Sequence, residues 1–160
     1  MITLRPYKTE DAKIILSWIK NEKSFFLWCA NRFNKYPISS DKFNNIYNTD
    51  ELQGFIAEDD GKTIGHLFMQ KLSDNRLKFG LIIVDSSIRR KGYGKSMLLQ
   101  AIEYAKTNFN INTITLCVFD NNHSAYECYK KIGFAENGKY TEIEILGEMH
   151  KYFELEYKVK

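Results

Sequence analysis

Residues 84–97 read Val84-Asp-Ser-Ser-Ile-Arg-Arg-Lys-Gly-Tyr-Gly-Lys-Ser-Met97, an order typical of a strand, a loop and a helix in succession. An apolar run, residues 81–84, leads into the polar turn, and an apolar helical stripe begins at Met97. The first N–H groups of a helix lack intrahelical partners, and the helix dipole places about half a positive charge there. The loop and the helix start therefore predict a binding site for a phosphate group.

Small and basic residues strengthen this prediction. Gly92 and Gly94 have no Cβ, so a diphosphate can approach the main chain closely. Mobile positive charge comes from four neighbouring side chains, those of Arg89, Arg90, Lys91 and Lys95. The ligand indicated is a phosphorylated cofactor, although a helix start with solvated charges would give a similar pattern.

Two other phosphate-binding motifs fail on spacing. Gly94-Lys95-Ser96 imitates the end of a P-loop, but that motif needs a glycine five residues earlier, where this chain has Arg89. A dinucleotide fingerprint needs a third glycine where this chain has Met97. What remains is the pattern Arg-x-x-Gly-x-Gly.

Length and composition fit one domain, residues 1–160, without a linker or a repeat. The chain has 160 residues and is 44% hydrophobic, which is enough for one sizeable core. A net charge of +3 does not indicate a nucleic-acid partner. The longest apolar run, residues 25–30, is too short to cross a bilayer, and the first residues lack the features of a signal peptide.

The cysteines indicate the compartment. Cys29, Cys117 and Cys128 are odd in number and share no metal-like spacing. We therefore expect buried thiols in a reducing cytoplasm, and no metal site.

Hydrophobic periodicity predicts strands and helices in a mixed order. Strands are expected at residues 2–5, 54–58, 63–70, about 76–84 and 114–119, followed by two long C-terminal strands. Helices are expected after Thr9, up to Tyr47, after Gly94 and over residues 122–132, whereas residues 21–38 read as aromatic and irregular. Gly80, inside a strand, indicates a bulge or a close backbone approach.

A second motif completes the pattern. It reads Asn122-His-Ser-Ala125-Tyr-Glu-Cys-Tyr129-Lys-Lys-Ile-Gly133-Phe134 and follows the first motif by about thirty residues. Together with Arg-x-x-Gly-x-Gly it resembles the GNAT superfamily of acyl-CoA-dependent N-acetyltransferases. The N-terminal Leu4-Arg5-Pro6 and Trp18 are similar to the branch that contains ribosomal-protein N-terminal acetyltransferases.

The resemblance implies an α/β (α+β mixed) acyl-CoA N-acyltransferase fold, a splayed mixed sheet of about seven strands with about four helices. It implies acetyl-CoA as acetyl donor, with Asn122 bonding the cofactor and Tyr129 as the general acid that protonates the departing thiolate. The backbone that would pair with the pantetheine arm belongs to Ile82, Ile83 and Val84. The diphosphate loop would comprise Arg89, Arg90, Lys91, Gly92, Tyr93, Gly94, Lys95 and Ser96.

The implied reaction is direct attack of a primary amine on the thioester in a ternary complex, and the family places its acceptor pocket near the aromatic residues 25–36. The acetyl acceptor could be a small molecule or a protein N-terminus. The acidic residues from Glu136 onward favour a cationic amine. Residues 76–84 contain no carboxylate that could act as the general base, so Glu58, Asp120 or a water chain would have to take that role. His66 reads as structural. A homodimer is a further option, and a non-catalytic acyl-CoA sensor is the alternative function.

Overall fold

A computed structural model describes residues 1–88 and 91–160, and Arg89 and Arg90 lie outside the described residues. The described residues form one seven-stranded sheet in the order β1-β2-β3-β4-β5-β7-β6. Its strands are β1 Ile2–Pro6, β2 Leu52–Asp59, β3 Lys62–Ser73, β4 Arg76–Val84, β5 Thr113–Phe119, β6 Ala135–Ile145 and β7 Glu148–Lys158. Neighbouring strands are antiparallel except β4 and β5, which are parallel. The predicted mixed sheet is confirmed.

Five α-helices accompany the sheet in the described chain, one more than expected. They are α1 Asp11–Ser17, α2 Glu22–Cys29, α3 Ser40–Asn44, α4 Tyr93–Asn108 and α5 His123–Ile132. The extra helix is α2, in the segment that the sequence predicted to be irregular. The Asn21 side chain caps it by accepting a hydrogen bond from the Ser24 N–H at 2.8 Å, which supplies the start signal. No helix in the described chain is long and apolar enough to cross a membrane.

The helices cover the two faces of the sheet separately. On one face α4 buries Met97 and Ala101, and α5 buries Tyr129, against residues such as Leu116. On the other face α1, α2 and α3 bury an aromatic core that includes Phe25. Helix α4, which follows the predicted phosphate loop, and the aromatic segment therefore lie on opposite faces of the same sheet.

A β-bulge interrupts β4 at the position that Gly80 indicated. Phe68 of β3 pairs with Gly80 and His66 pairs with Ile83, so a single β3 residue faces two residues of β4. Leu81 takes a left-handed φ of 48°, and a Cβ on Gly80 would overlap the Phe68 ring. The predicted bulge is confirmed. It also reverses the alternation of side chains, because β4 turns odd-numbered residues toward α4 before the bulge and even-numbered residues after it.

The sheet opens between β4 and β5. Their pairing covers only Arg76 to Lys78 of β4, and the last matched pair is Lys78 with Thr115. Beyond it, β5 continues to pair with β7 as far as Phe119, whereas residues 79–84 of β4 have no strand partner on this side. The predicted splay is thus confirmed as a gap between two parallel strands.

Candidate active site

The first turn of α4 stands at the end of β4. Gly92 precedes the helix with a left-handed φ of 76°, and no side chain caps the N–H groups there. The Ser96 N–H closes the first helical hydrogen bond, to the Gly92 carbonyl at 3.0 Å. The N–H groups of residues 93–95 therefore have no partner within the helix. A Cβ on Gly94 would lie 3.8 Å from Val84 Cγ2, so this open helix end adjoins the last residue of the bulged strand.

The side chains of this loop have different surroundings. Lys91 and Lys95 are exposed, and Ser96 is half-buried. The Tyr93 hydroxyl donates a hydrogen bond to Asp59 Oδ2 at 2.8 Å. The hydrogen bonds from Tyr93 and from the N-terminal ammonium hold the pKa of Asp59 below its ordinary value. Tyr93 is therefore fixed to the β2–β3 turn, and what it offers a ligand is its main-chain N–H. Arg89 and Arg90, predicted for the same loop, lie outside the described residues.

The other predicted cofactor residues flank the gap. Ile82, Ile83 and Val84 are half-buried, and the last two pair with β3 on one edge only. Asn122 caps α5, where its Oδ1 accepts from the Ala125 N–H at 3.2 Å. Capping occupies the amide oxygen and leaves the Asn122 NH₂ group for a ligand.

Tyr129 projects from α5 into the core and is 8% exposed. Burial raises the pKa of its phenol, and Cys128, Tyr152 and Cys117 raise it further. The hydroxyl thus stays protonated throughout the physiological range. No hydrogen bond within the described chain involves this hydroxyl. A protonated phenol is chemically able to donate a proton.

A cavity of about 410 Å³ opens on the other face of the sheet, beside the bulge. Its lining comprises Trp28, Cys29, Ala30, Asn31, Arg32, Phe68, Lys78, Gly80, Leu81, Ile143 and Tyr152. Residues 28–32 thus line a pocket, whereas Phe25, Phe26 and Phe33 of the same aromatic segment are buried in the core. Sequence reasoning missed Lys78, Ile143 and Tyr152, because they reach the cavity only through strand pairing.

The candidate bases are separated by the fold. Glu58 lies on β2, two strands away from β4, and its Oε2 atom is 2.9 Å from Arg5 Nε. Asp120 follows β5 directly and accepts from the Lys151 N–H at 3.1 Å. That hydrogen bond and a smaller contribution from His150 lower the pKa of Asp120. Asp120 therefore stays ionised and is a weak base by itself.

His150 is a residue that sequence reasoning left to the hairpin. It is 9% exposed, and its Nδ1 lies 3.2 Å from Asp120 Oδ1. Its Nε2 is buried without a hydrogen-bond partner among the described residues, with Glu148 Oε2 at 3.6 Å. His150 precedes the cavity residue Tyr152 by two positions on β7 and pairs across to Ile143, another cavity residue. The imidazole therefore adjoins the cavity wall.

His66 is structural, as predicted. It is completely buried, with Nδ1 2.8 Å from the Phe55 carbonyl and Nε2 2.7 Å from the Tyr47 hydroxyl. Burial lowers the pKa of His66 to about 4, so the ring is neutral at physiological pH. Within the described chain, no group of three or more His, Cys, Asp or Glu side chains could hold a metal ion.

The match to a family model covers most of this architecture. Residues 12–134, from α1 to the end of the second motif, match the model described as Acetyltransferase (GNAT) family. The chain belongs to this family. The predicted family and the predicted acetyl-CoA-dependent N-acetyltransferase activity are both confirmed. The finer assignment to the ribosomal-protein branch stays a prediction.

Individual GNAT proteins show the same relationship over almost the whole chain. Spermidine N(1)-acetyltransferase of Escherichia coli K12 is 23% identical over 95% of this chain and 78% of its own length. Among solved structures, spermidine N-acetyltransferase from Vibrio cholerae in complex with CoA and spermine has a TM-score of 0.83 at 24% identity, covering 98% of this chain and 95% of that one. A putative phosphinothricin N-acetyltransferase has a TM-score of 0.76 at 20% identity, covering 100% and 99%. These structural similarities establish the fold.

Proposed function

We propose that this GNAT protein acts as one domain, residues 1–160, and acetylates the primary amine of a small molecule by direct attack in a ternary complex. One observation carries the proposal: the gap between β4 and β5 lies between an uncapped helix start and a separate cavity. Two ligands can thus enter from opposite faces and meet at the bulge. The relatives named for spermidine support a small amine as acceptor rather than a protein N-terminus.

The cofactor fits the face of α4. Main-chain N–H groups at residues 93–95 would bind the diphosphate, with Lys91 and Lys95 adding charge. The pantetheine arm would extend along residues 82–84, whose open edge faces the gap and offers the peptide groups that a neighbouring strand would use. Asn122 would donate its NH₂ group to the cofactor.

The chemistry follows from the groups at the gap. The amine nitrogen attacks the thioester carbonyl, a main-chain N–H at the bulge stabilises the oxyanion, and Tyr129 protonates the thiolate that leaves. The chain's own thiols are poor nucleophiles, because burial raises the pKa of Cys29, Cys117 and Cys128. This supports direct transfer without an acetyl-cysteine intermediate. The same three free thiols fit a cytoplasmic protein.

We propose that the base missing from β4 is replaced by His150. Asp120 accepts the Nδ1–H and so leaves Nε2 with the lone pair that takes the amine's proton. The pairing of β5 with β7 brings the two residues together at the end of the gap. Asp120 thus orients the imidazole, and water remains the alternative proton acceptor.

Replacing His150 with asparagine tests this role, since the amide keeps a donor for Asp120 and has no basic nitrogen. A primary amine with a pKa of about 10 is about 1% neutral at pH 8. Without the base, the variant can still acetylate the amine molecules that bind already neutral. The expected loss in kcat/KM is therefore limited to about tenfold to a hundredfold. The loss should shrink as the pH approaches about 10. His123→Asn, at the exposed start of α5, is the control. A pH-independent loss, or none, would remove His150 from the proton path.

Acetyl-CoA and CoA are expected to raise the melting temperature, whereas ATP and NAD are not, because the chain lacks both nucleotide fingerprints. At a ligand concentration one hundred times Kd, mass action adds about 2.7 kcal/mol, which thermal denaturation detects easily. Thiol release with a panel of amines then separates the enzyme from the sensor. Equal stabilisation by ATP would contradict the acyl-CoA site, and binding without any acetyl transfer would favour the sensor.

A further inference from the structure

The cavity beside the bulge is lined by positive charge and by no negative charge. Arg32 and Lys78 line it, and no aspartate or glutamate does. The rest of the wall is aromatic or aliphatic, notably Trp28, Phe68, Ile143 and Tyr152. A surface of this kind is complementary to an acid and repels a polyammonium ligand.

Both cations are available to a ligand. Arg76, two residues before Lys78 on β4, already engages Glu154 at 3.6 Å and Glu156 at 3.1 Å. No carboxylate of the described chain forms an ion pair with Arg32 or with Lys78. The two residues outside the described chain are both arginines, so they supply no carboxylate either.

Arg32 is held close to the reaction centre. Its Cζ atom lies 5.1 Å from the centroid of the Phe68 ring, and that ring occupies the space where Gly80 has no Cβ. The guanidinium therefore stands over the strand residue that begins the bulge. Its planar N–H fork matches a carboxylate with two parallel hydrogen bonds, which an ammonium group cannot reproduce.

The acidic residues of the C-terminal hairpin do not line this cavity, and two of them, Glu154 and Glu156 on the Tyr152 face of β7, are paired with Arg76. Ile143 of β6 lines the cavity, and side chains alternate along a strand, so Glu142 and Glu144 project from the opposite face. Asn31 fixes the loop to this strand by donating to the main-chain carbonyl of Glu144 at 2.9 Å. The expectation of a cationic acceptor, drawn from these glutamates, therefore finds no support in the cavity.

We infer that the acetyl acceptor is an amino acid, a primary amine whose nearby carboxylate is bound by Arg32 with Lys78 beside it. The inference rests on the proposed function and names its substrate class. The buried indole N–H of Trp28, another wall residue, has no acceptor among the described residues, and a carboxylate brings acceptors whereas a polyamine brings only donors. The short distance from carboxylate to amine in an amino acid suits the short distance from Arg32 to the bulge.

Matched pairs of amines test the substrate class. Thiol release from acetyl-CoA is measured with phenylalanine and phenethylamine, with leucine and isopentylamine, and with spermidine. Each amino acid should exceed the amine that lacks the carboxylate by about tenfold to a hundredfold in kcat/KM, as for a hydrogen bond to a charged group. Spermidine should be the poorest acceptor. Higher kcat/KM for spermidine or for the decarboxylated amines would overturn the inference and leave the acetyltransferase proposal intact.

The variant Arg32→Gln tests the residue itself. Arg32 is exposed, and glutamine keeps part of the aliphatic stem and a polar end while removing the charge. The variant should lose about tenfold to a hundredfold in kcat/KM with the amino acids and stay within about twofold with the matched amines. Lys13→Gln, at an exposed position of α1, should change neither class. An equal loss with both classes of amine would assign Arg32 a structural role and overturn the inference.

A binding measurement separates this inference from the proposed function. Each amino acid is titrated calorimetrically into the CoA-saturated protein and into its Arg32→Gln variant. Binding that depends on Arg32 without turnover would support the carboxylate site and contradict acetyl transfer. Binding that is unchanged in the variant would contradict the carboxylate site, whatever the turnover.

Discussion

Replacing Gly94 with valine is expected to weaken acetyl-CoA binding more than a hundredfold and to leave the protein folded. Among the described residues the added Cβ would meet only Val84 Cγ2, at 3.8 Å, which is an ordinary van der Waals contact. The branched side chain would instead occupy the space that a diphosphate needs beside the open N–H groups of α4. Losing two hydrogen bonds to a charged group, at about 1.5–3 kcal/mol each, accounts for an effect of this size.

The measurement is calorimetric titration of CoA and acetyl-CoA, with the melting temperature of each variant recorded without ligand. Lys23→Val is the matched control, since Lys23 is exposed at the second position of α2 just as Gly94 holds the second position of α4. Gly94→Ala should give an intermediate loss. Gly92→Val is a less informative variant, because the left-handed φ of 76° strains any side chain at that position. Unchanged cofactor affinity in a folded Gly94→Val protein would place the diphosphate elsewhere.

Local motifs made the glycine-containing loop before α4 and the helix of the second motif, α5, predictable from the sequence. Glycines, basic residues and helix caps act over a few residues, so their meaning survives without knowledge of the fold. Gly80 likewise indicated the bulge, because a glycine inside a strand often marks a bulge or a close backbone approach. The order of elements around these motifs was enough to predict the mixed sheet and its family.

Contacts between distant strands could not be predicted in the same way. His150 meets Asp120 because β7 pairs with β5, and the periodicity of neither strand encodes that pairing. Lys78 and Ile143 face one cavity only because the strand order and the pairing register place them on the same side of the sheet. The positive charge of the cavity therefore emerged only from the tertiary structure.

Removing the Tyr129 hydroxyl is expected to have the largest effect on turnover. Tyr129→Phe keeps the ring that packs against Phe134, at 6.1 Å between centroids, so the core should remain intact. If the phenol protonates the leaving thiolate, kcat should fall by about 10²–10⁴-fold with little change in acetyl-CoA affinity. Burial raises the phenol pKa and keeps the proton in place until the thiolate develops, which suits a general acid that acts late in the reaction.

A matched control exists one turn away on the same helix. The Tyr126 hydroxyl donates to Glu136 at 2.7 Å on the surface, so Tyr126→Phe removes a hydroxyl from α5 without touching the gap. It should retain nearly full kcat. A tyrosine that only fills the core would make Tyr129→Phe equally active, at a cost of about 1 kcal/mol in stability at most. The two interpretations of Tyr129 thus differ by orders of magnitude in kcat and by almost nothing in melting temperature. Full turnover in Tyr129→Phe would transfer the thiolate's protonation to water or to the proton released by the attacking amine.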